Sequence, residues 1–252
     1  MSSIQTPAII LAVKDVGEAD RLVTFLTPDR GRLTGLAKHA KKSRKRFANV
    51  LEPLNRVEFF LSARPGGDLE FLQKGELINA YPALRRDLLR LGAAAVLAEL
   101  AGELASPPEA AAPIFAALEN ALARLENGLP VDSLLVAAAM NLLKSGGYGF
   151  HLSVCLACGK EPVAPLHFSI PRGGVSCDAC RGRVPSPLMT LNPGTWKLLR
   201  QAQEMPPDKL PRLIFPAWQR DQSLVVIKAF LRYHLGRDLK SWSFLHNAAR
   251  QK

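Results

Sequence analysis

Asp20-Arg21-Leu22-Val23-Thr24-Phe25-Leu26-Thr27-Pro28-Asp29-Arg30-Gly31-Arg32-Leu33-Thr34-Gly35-Leu36-Ala37 decides the fold. Two apolar or alternating runs, Arg21 to Leu26 and Arg32 to Ala37, flank Thr27-Pro28-Asp29-Arg30-Gly31. Proline, aspartate and glycine in that order form a tight-turn sequence, so the stretch reads as strand, turn, strand. Working outward, Ala8 to Val13 lies upstream, and Arg56 to Leu61 and Leu69 to Leu77 lie downstream, each with strand character. Lys14 to Asp20, which contains a glycine, separates the first two strands. Arg64-Pro65-Gly66-Gly67-Asp68 suits a hairpin between the last two. Five short strands with the longest gap after the third predict a closed OB-type barrel over residues 1–80. An SH3-like barrel is the runner-up.

From Pro82 the pattern changes. Leu84, Leu88, Leu91, Ala95 and Ala98 recur at helical spacing, and alanine becomes abundant. Further helices are predicted over Pro108 to Glu126 and Val131 to Lys144, interrupted by Ser106-Pro107-Pro108 and Gly128-Leu129-Pro130. Gly146-Gly147-Tyr148-Gly149 stops the helical pattern. Asn192-Pro193-Gly194 opens another helix, and a long one over Trp218 to Leu235 ends at Gly236. The class is α+β: barrel 1–80, a helical domain in two parts, 81–150 and 184–252, and an inserted four-cysteine module at 151–183. The apolar stripes of these helices are read as core.

The inserted module carries every cysteine of the chain: Cys155, Cys158, Cys177 and Cys180. Two Cys-x2-Cys pairs lie 18 residues apart, the spacing of a four-thiolate zinc site. Disulfides or a redox pair are the competing readings; a cytosolic chain argues against the first and the matched second pair against the other. Four protein ligands close the coordination shell, so one structural Zn²⁺ is expected. Leu152, Leu156, Leu166, Phe168 and Ile170 are too few to stabilise so short a segment, and metal binding supplies the difference. Lys160, Arg172, Arg181 and Arg183 are placed to offset the thiolate charge, and His151 and His167 are read as ordinary surface or packing residues.

Charge points to a partner. The 252 residues hold 33 Lys and Arg against 22 Asp and Glu, a net +11, and a polyanion such as nucleic acid is the usual counterpart. The surplus is gathered: Arg30, Arg32, Lys38, Lys41, Lys42, Arg44, Lys45 and Arg46 fall between Arg30 and Val50 with no acid among them. These eight are the candidate DNA-binding residues. A solvated charge run, or a bend held by Glu52 and Asp29, is the alternative. Phe47, Phe59, Phe60 and Phe71 are the nearest candidates for base stacking, but strand phenylalanines usually serve as core, so phosphate-dominated binding with little sequence preference is expected.

Neither a phosphate-binding loop, His-Glu-x2-His nor Gly-x-Ser-x-Gly occurs. Asp15, Glu18, Asp20 and Asp29 could serve a Mg²⁺-dependent nuclease, but such loop carboxylates are commonplace, and the chain is not read as an enzyme. No apolar run of membrane-spanning length and no leader pattern occur, so a cytoplasmic protein is expected.

Gly17-Glu18-Ala19-Asp20-Arg21-Leu22-Val23 and Leu26-Thr27-Pro28-Asp29-Arg30-Gly31-Arg32-Leu33 closely resemble the N-terminal pattern of the RecO recombination-repair family. Ser43-Arg44-Lys45-Arg46 with Leu51-Glu52-Pro53-Leu54 also fits, as do the four cysteines and Arg232-Tyr233-His234-Leu235-Gly236-Arg237 with Leu239-Lys240-Ser241. His39 departs from the pattern, which more often has glycine there. The resemblance implies an OB domain, a helical domain interrupted by a zinc module, and a non-enzymatic, nucleoid-associated role in the RecF pathway. It also implies binding of single- and double-stranded DNA, annealing of complementary strands, partnership with RecR and the SSB C-terminal tail, and help in loading RecA. By the same analogy, the acidic, apolar-ended SSB tail docks on a basic-rimmed pocket of the helical domain, for which Arg85, Arg86, Arg90, Arg232 and Arg237 are candidates. A zinc-containing protein-interaction adaptor with incidental DNA contact is the alternative function.

Overall fold

The computed structural model describes residues 3–62, 69–105 and 108–250. The expected 64–68 hairpin and the Ser106-Pro107 break lie outside the described residues. The chain divides into two compact units, Met1–Gly128 and Leu129–Lys252.

Five strands build the barrel of the first unit: β1 (Ser3–Val16), β2 (Asp20–Thr27), β3 (Gly31–Ala37), β4 (Arg56–Ser62) and β5 (Glu70–Asn79). They close in the order β1-β2-β3-β5-β4, with a short parallel contact between β3 and β5 sealing the ring. Every other side chain of β4 is buried, as a barrel wall demands. Phe25 and Phe59 meet edge to face at 5.0 Å in the interior, both fully buried. β1 runs longer than its apolar stretch indicated. Its first half pairs with β4 and its second with β2, and a register shift between Ile10 and Ala12 lets one strand serve two neighbours.

Two helices follow within the same unit, α1 (Leu88–Leu104) and α2 (Ala111–Glu126). The change of sequence character at residue 81 therefore marks the end of the barrel and not of the compact unit. Gly102 of α1 approaches β1 so closely that an added Cβ would lie 2.9 Å from Leu11 Cδ1. Arg56 of β4 lies over the Phe115 ring of α2 and pairs with Glu119 at 2.6 Å. Asp87 caps α1: its Oδ1 accepts from the backbone N–H of Leu89 and Arg90 at 2.8 and 3.1 Å. Replacing an N-cap carboxylate by alanine leaves these donors unmet, so Asp87→Ala is expected to cost about 1 kcal/mol, read from denaturant unfolding of the full chain.

The second unit holds α3 (Val131–Ser145), then a three-stranded sheet of β6 (Leu166–Ser169), β7 (Gly174–Cys177) and β8 (Leu188–Leu191) in the order β7-β6-β8. Next come α4 (Pro193–Glu204), α5 (Ala217–Leu235) and α6 (Ser241–Ala249). Asn192 caps α4 with Pro193 at its first turn, and Gly236 ends α5 in the left-handed region at φ 70°. The small sheet is fused to the helical core. Phe150 lies 4.9 Å from both Phe168 of β6 and Phe230 of α5, centroid to centroid. Trp196 of α4 donates its indole N–H to the Leu152 carbonyl at 2.8 Å, and the Gln203 amide bonds both backbone groups of Phe150. The module around the cysteines thus shares the core of its unit, and β8 extends its sheet to Leu191. No helix among the described residues is long and apolar enough to cross a membrane.

Candidate metal centre and nucleic-acid interface

The two Cys-x2-Cys pairs reach one point from different elements. Cys155 and Cys158 lie in a turn before β6, Cys177 ends β7, and Cys180 sits in the following 3₁₀ turn. Pairing of Leu166 with Cys177 across β6 and β7, and a bond from Leu156 N–H to the Val175 carbonyl at 2.9 Å, hold the turns together. All four Sγ atoms lie within 4.8 Å of one another. A tetrahedron with Zn–S arms of about 2.3 Å has edges of about 3.8 Å, so the cluster has the dimensions of a four-thiolate site. Among the described residues this is the group of side chains that could hold a metal ion.

The surroundings favour charge on one sulfur, that of Cys155, and oppose it on two others. Burial opposes ionisation of Cys155, but backbone N–H groups of Cys158, Cys177 and Ala157 outweigh it and bring the thiol down to about 6. Cys177 N–H lies 3.5 Å from Cys155 Sγ. At Cys177 a backbone N–H from Val163 pulls down, but burial and the charge of Cys155 and Cys158 prevail and push the thiol up. Burial chiefly raises Cys180, against the pull of Arg183, whose guanidinium donates to its Sγ at 2.8 Å. One thiolate forms readily and its neighbours resist; a divalent cation removes that conflict. Of the four flanking cations, Arg183 reaches a sulfur, whereas Arg181 turns to Asp178 at 3.2 Å. His167 Nε2 also meets Asp178, at 2.9 Å, and His151 packs against Gly174 through a backbone bridge.

The basic run occupies the connection from β3 to β4. It contains one 3₁₀ turn, Ala40–Lys42, where a helix is common in such barrels. Its apolar residues Ala40, Phe47, Val50 and Leu51 join the barrel core, so the loop is anchored while its charges face water. Gly75 of β5 makes room for it: a Cβ there would lie 2.8 Å from Val50 Cγ1, and its N–H donates to the Arg46 carbonyl at 3.0 Å. His39 stands at φ 54°, in the left-handed region that glycine adopts without strain.

The eight candidate cations divide into groups. Arg30 is paired with Glu70, and Arg32 with Glu103 at 3.2 Å, both away from the run. Lys41 bonds Asp15 at 3.1 Å and the Gly17 carbonyl at 3.0 Å, and this bond holds the Asp15 carboxyl below its ordinary range. Arg46 donates to the Lys38 carbonyl at 2.7 Å. Lys42, Arg44 and Lys45 are exposed and have no acidic partner among the described residues. The loop is held by Asp15 and by Asp20, which accepts from His39 N–H at 2.7 Å, and not by Glu52 and Asp29. Arg44 lines an open polar recess with Arg21, Lys41, Ser43 and Asn49.

The four phenylalanines also separate. Phe47 and Phe59 are core. Phe60 and Phe71 are half-buried on the outside of the barrel, with Lys74 Nζ 5.3 Å from the Phe60 centroid and Lys38 Nζ 5.5 Å from that of Phe71. Lys74, which also pairs with Glu76, was not among the sequence candidates, because it meets Phe60 only as a cross-strand neighbour of β4 and β5. Arg85 and Arg90 are committed to backbone: Arg85 to the Ala80 and Pro53 carbonyls, Arg90 to that of Leu125. Arg232 lines a recess of about 690 Å³ between α5 and α6 with Lys228, Asp238, Lys240 and Trp242, and pairs there with Asp238 at 3.8 Å. Lys228 lies 4.5 Å from the Trp242 ring, and burial lowers its ammonium pKa.

A closed five-stranded barrel with a polycationic loop, joined to a helical unit that carries a cluster of four cysteines, defines an OB-type protein with a four-cysteine module. Sequence comparison agrees over nearly the whole chain. Residues 1–81 match the family model described as Recombination protein O N terminal, and 85–243 the model for its C terminal. The chain belongs to the recombination protein O family. It is 34% identical over 254 residues to the DNA repair protein RecO of Syntrophobacter fumaroxidans, covering 98% of this chain and 99% of the relative. It is 33% identical over 248 residues to that of Desulforudis audaxviator, covering 97% of each. The RecO of Syntrophus aciditrophicus is 30% identical over 250 residues, covering 98% of this chain and 96% of the relative.

Proposed function

We propose that this protein is a DNA-binding recombination mediator of the RecF pathway. It binds single- and double-stranded DNA, anneals complementary strands, and with RecR helps load RecA onto SSB-coated DNA. The observation that carries the reading is the exposed set Lys42, Arg44 and Lys45, free of acidic partners among the described residues and mounted on a loop whose apolar side chains are locked into the barrel. Such a loop grips phosphates and leaves base edges open, which is what pairing of two held strands requires.

The Cys155, Cys158, Cys177 and Cys180 sulfurs would hold one Zn²⁺ as a structural cross-link of the second unit. With four protein sulfurs bound, no position remains for an activated water, and the role is non-enzymatic. The recess of Lys228, Arg232, Lys240 and Trp242 suits the acidic, apolar-ended tail of SSB, having cations at its rim and an indole in its wall. That recess also favours the adaptor reading, in which protein binding is primary and DNA contact incidental.

The deciding experiment is annealing of complementary oligonucleotides, bare and SSB-coated, without ATP. Acceleration on both substrates is expected. A chain that captures the SSB tail peptide but neither retards nor anneals DNA is an adaptor, and the mediator reading fails.

A further inference from the structure

Two aromatic-bearing stretches lie outside the barrel loop, Gly146-Gly147-Tyr148-Gly149 after α3 and Arg232-Tyr233-His234-Leu235-Gly236-Arg237 at the end of α5. The fold of the second unit brings them together. The Tyr148 and His234 rings meet edge to face at 6.0 Å, and Tyr233 and His234 do so at 5.2 Å. Beneath them Phe230, 4% exposed, lies 4.2 Å from His234 and ties the group to Phe150 in the core. Tyr148 remains 42% exposed and Tyr233 53% exposed, and His234 is exposed as well.

Three rings at the surface over a rigid aromatic base are unusual for a solvated corner. Edge-to-face packing covers one face of one ring in each pair and leaves the remaining faces open, and a fixed base keeps the entropic cost of stacking on them low. Cations flank the rings, together with Asp238, which pairs with Arg232 at 3.8 Å. Arg237 follows the Gly236 that ends α5, and exposed Arg172 precedes Gly173, where a Cβ would lie 2.7 Å from the Phe230 ring. The large aliphatic residues exposed on the same unit, Val154, Val163, Ile214 and Val225, belong to neither of the two aromatic-bearing stretches. Rings with polar edges beside guanidinium groups fit an unpaired base with its flanking phosphates better than an aliphatic protein surface.

We infer that Tyr148, Tyr233 and His234 form a base-stacking platform for single-stranded DNA on the second unit, separate from the phosphate-gripping loop of the barrel. The inference rests on the DNA-binding reading above. It adds what the loop cannot supply, a preference for strands that carry unpaired bases.

The test compares the full chain with Y148A/Y233A on a mixed-sequence single-stranded oligonucleotide and on an abasic strand of equal length and charge. The double variant is expected to bind the base-bearing strand about tenfold more weakly and the abasic strand unchanged, with the salt dependence preserved. Y148F/Y233F, which keeps the rings, should bind like the parent. A 2-aminopurine in the strand should lose emission on binding the parent and regain it with the alanine variant. Equal loss on both strands, or no loss on either, overturns the platform while leaving the barrel assignment intact. A parent chain that binds neither strand overturns the DNA-binding reading as well.

Discussion

Replacing Lys42, Arg44 and Lys45 by alanine together is expected to weaken binding of mixed-sequence single-stranded DNA on the order of a hundredfold at low salt. Each phosphate contact on a single strand contributes about 0.7 to the slope of log affinity against log salt, so three lost contacts flatten that slope by about 2. Extending the set to Lys41 and Arg46 should add less per residue, because Lys41 is already held by Asp15 and Arg46 by the Lys38 carbonyl. The triple variant is also the cleaner probe: Ala40, Phe47, Val50 and Leu51 still fix the loop in the core. Fluorescence anisotropy of a labelled oligonucleotide at several salt concentrations reads both quantities. Binding by the parent that ignores salt, or a triple variant with an unchanged slope, removes the loop from the interface.

The second large effect concerns the cysteines. One zinc per chain is expected from metal analysis of the purified protein, and Cys155→Ser or strong chelation should abolish it. Apparent binding free energies of structural zinc sites, about 10–16 kcal/mol, match or exceed the whole stability of a typical domain, about 5–15 kcal/mol. Loss of the metal should therefore remove the cooperative unfolding transition of residues 129–252. All three tryptophans, Trp196, Trp218 and Trp242, belong to that unit, so intrinsic fluorescence reports on it selectively. Trp196 is the most informative, being buried and bonded to Leu152, three residues before Cys155. A red-shifted emission with the β-rich signal of the barrel retained is the expected pattern. Metal-free protein that melts like the parent would make the cysteine cluster dispensable for folding.

Several elements are legible in the amino-acid sequence because their signals are local. Alternation in Arg56 to Leu61 predicted a wall strand, and the structure buries every other residue there. Thr27-Pro28-Asp29-Arg30-Gly31 predicted a turn, and Gly31 takes φ 68° where β3 begins. Other elements were hidden for physical reasons. The first strand was expected from Ala8, and residues 3–7, which contain Pro7 and so lack one ladder donor, prove to pair with β4 as well. Strands β6, β7 and β8 are four residues each, too short to display a period. Helix α6 was missed because Ser241–Ala249 is short and its start is weakly marked: no proline follows Ser241 as Pro193 follows Asn192 at α4, and no side chain caps it.

The candidate site divides in the same way. The amino-acid sequence by itself determined that the chain has an OB-type barrel, a helical part and four thiols at metal-site spacing, because periodicity, turn chemistry and ligand spacing are properties of neighbouring residues. Only the tertiary structure decided which cations remain available. Arg30 meets Glu70 and Arg32 meets Glu103, partners 40 and 71 residues away, whereas Lys42, Arg44 and Lys45 meet no acid among the described residues. It likewise decided that Tyr148 and His234 share a corner, and that Phe60 and Phe71 stay at the surface while Phe59 goes inside. Ion pairing and ring packing depend on distance in space, which chain closure sets and no local pattern records.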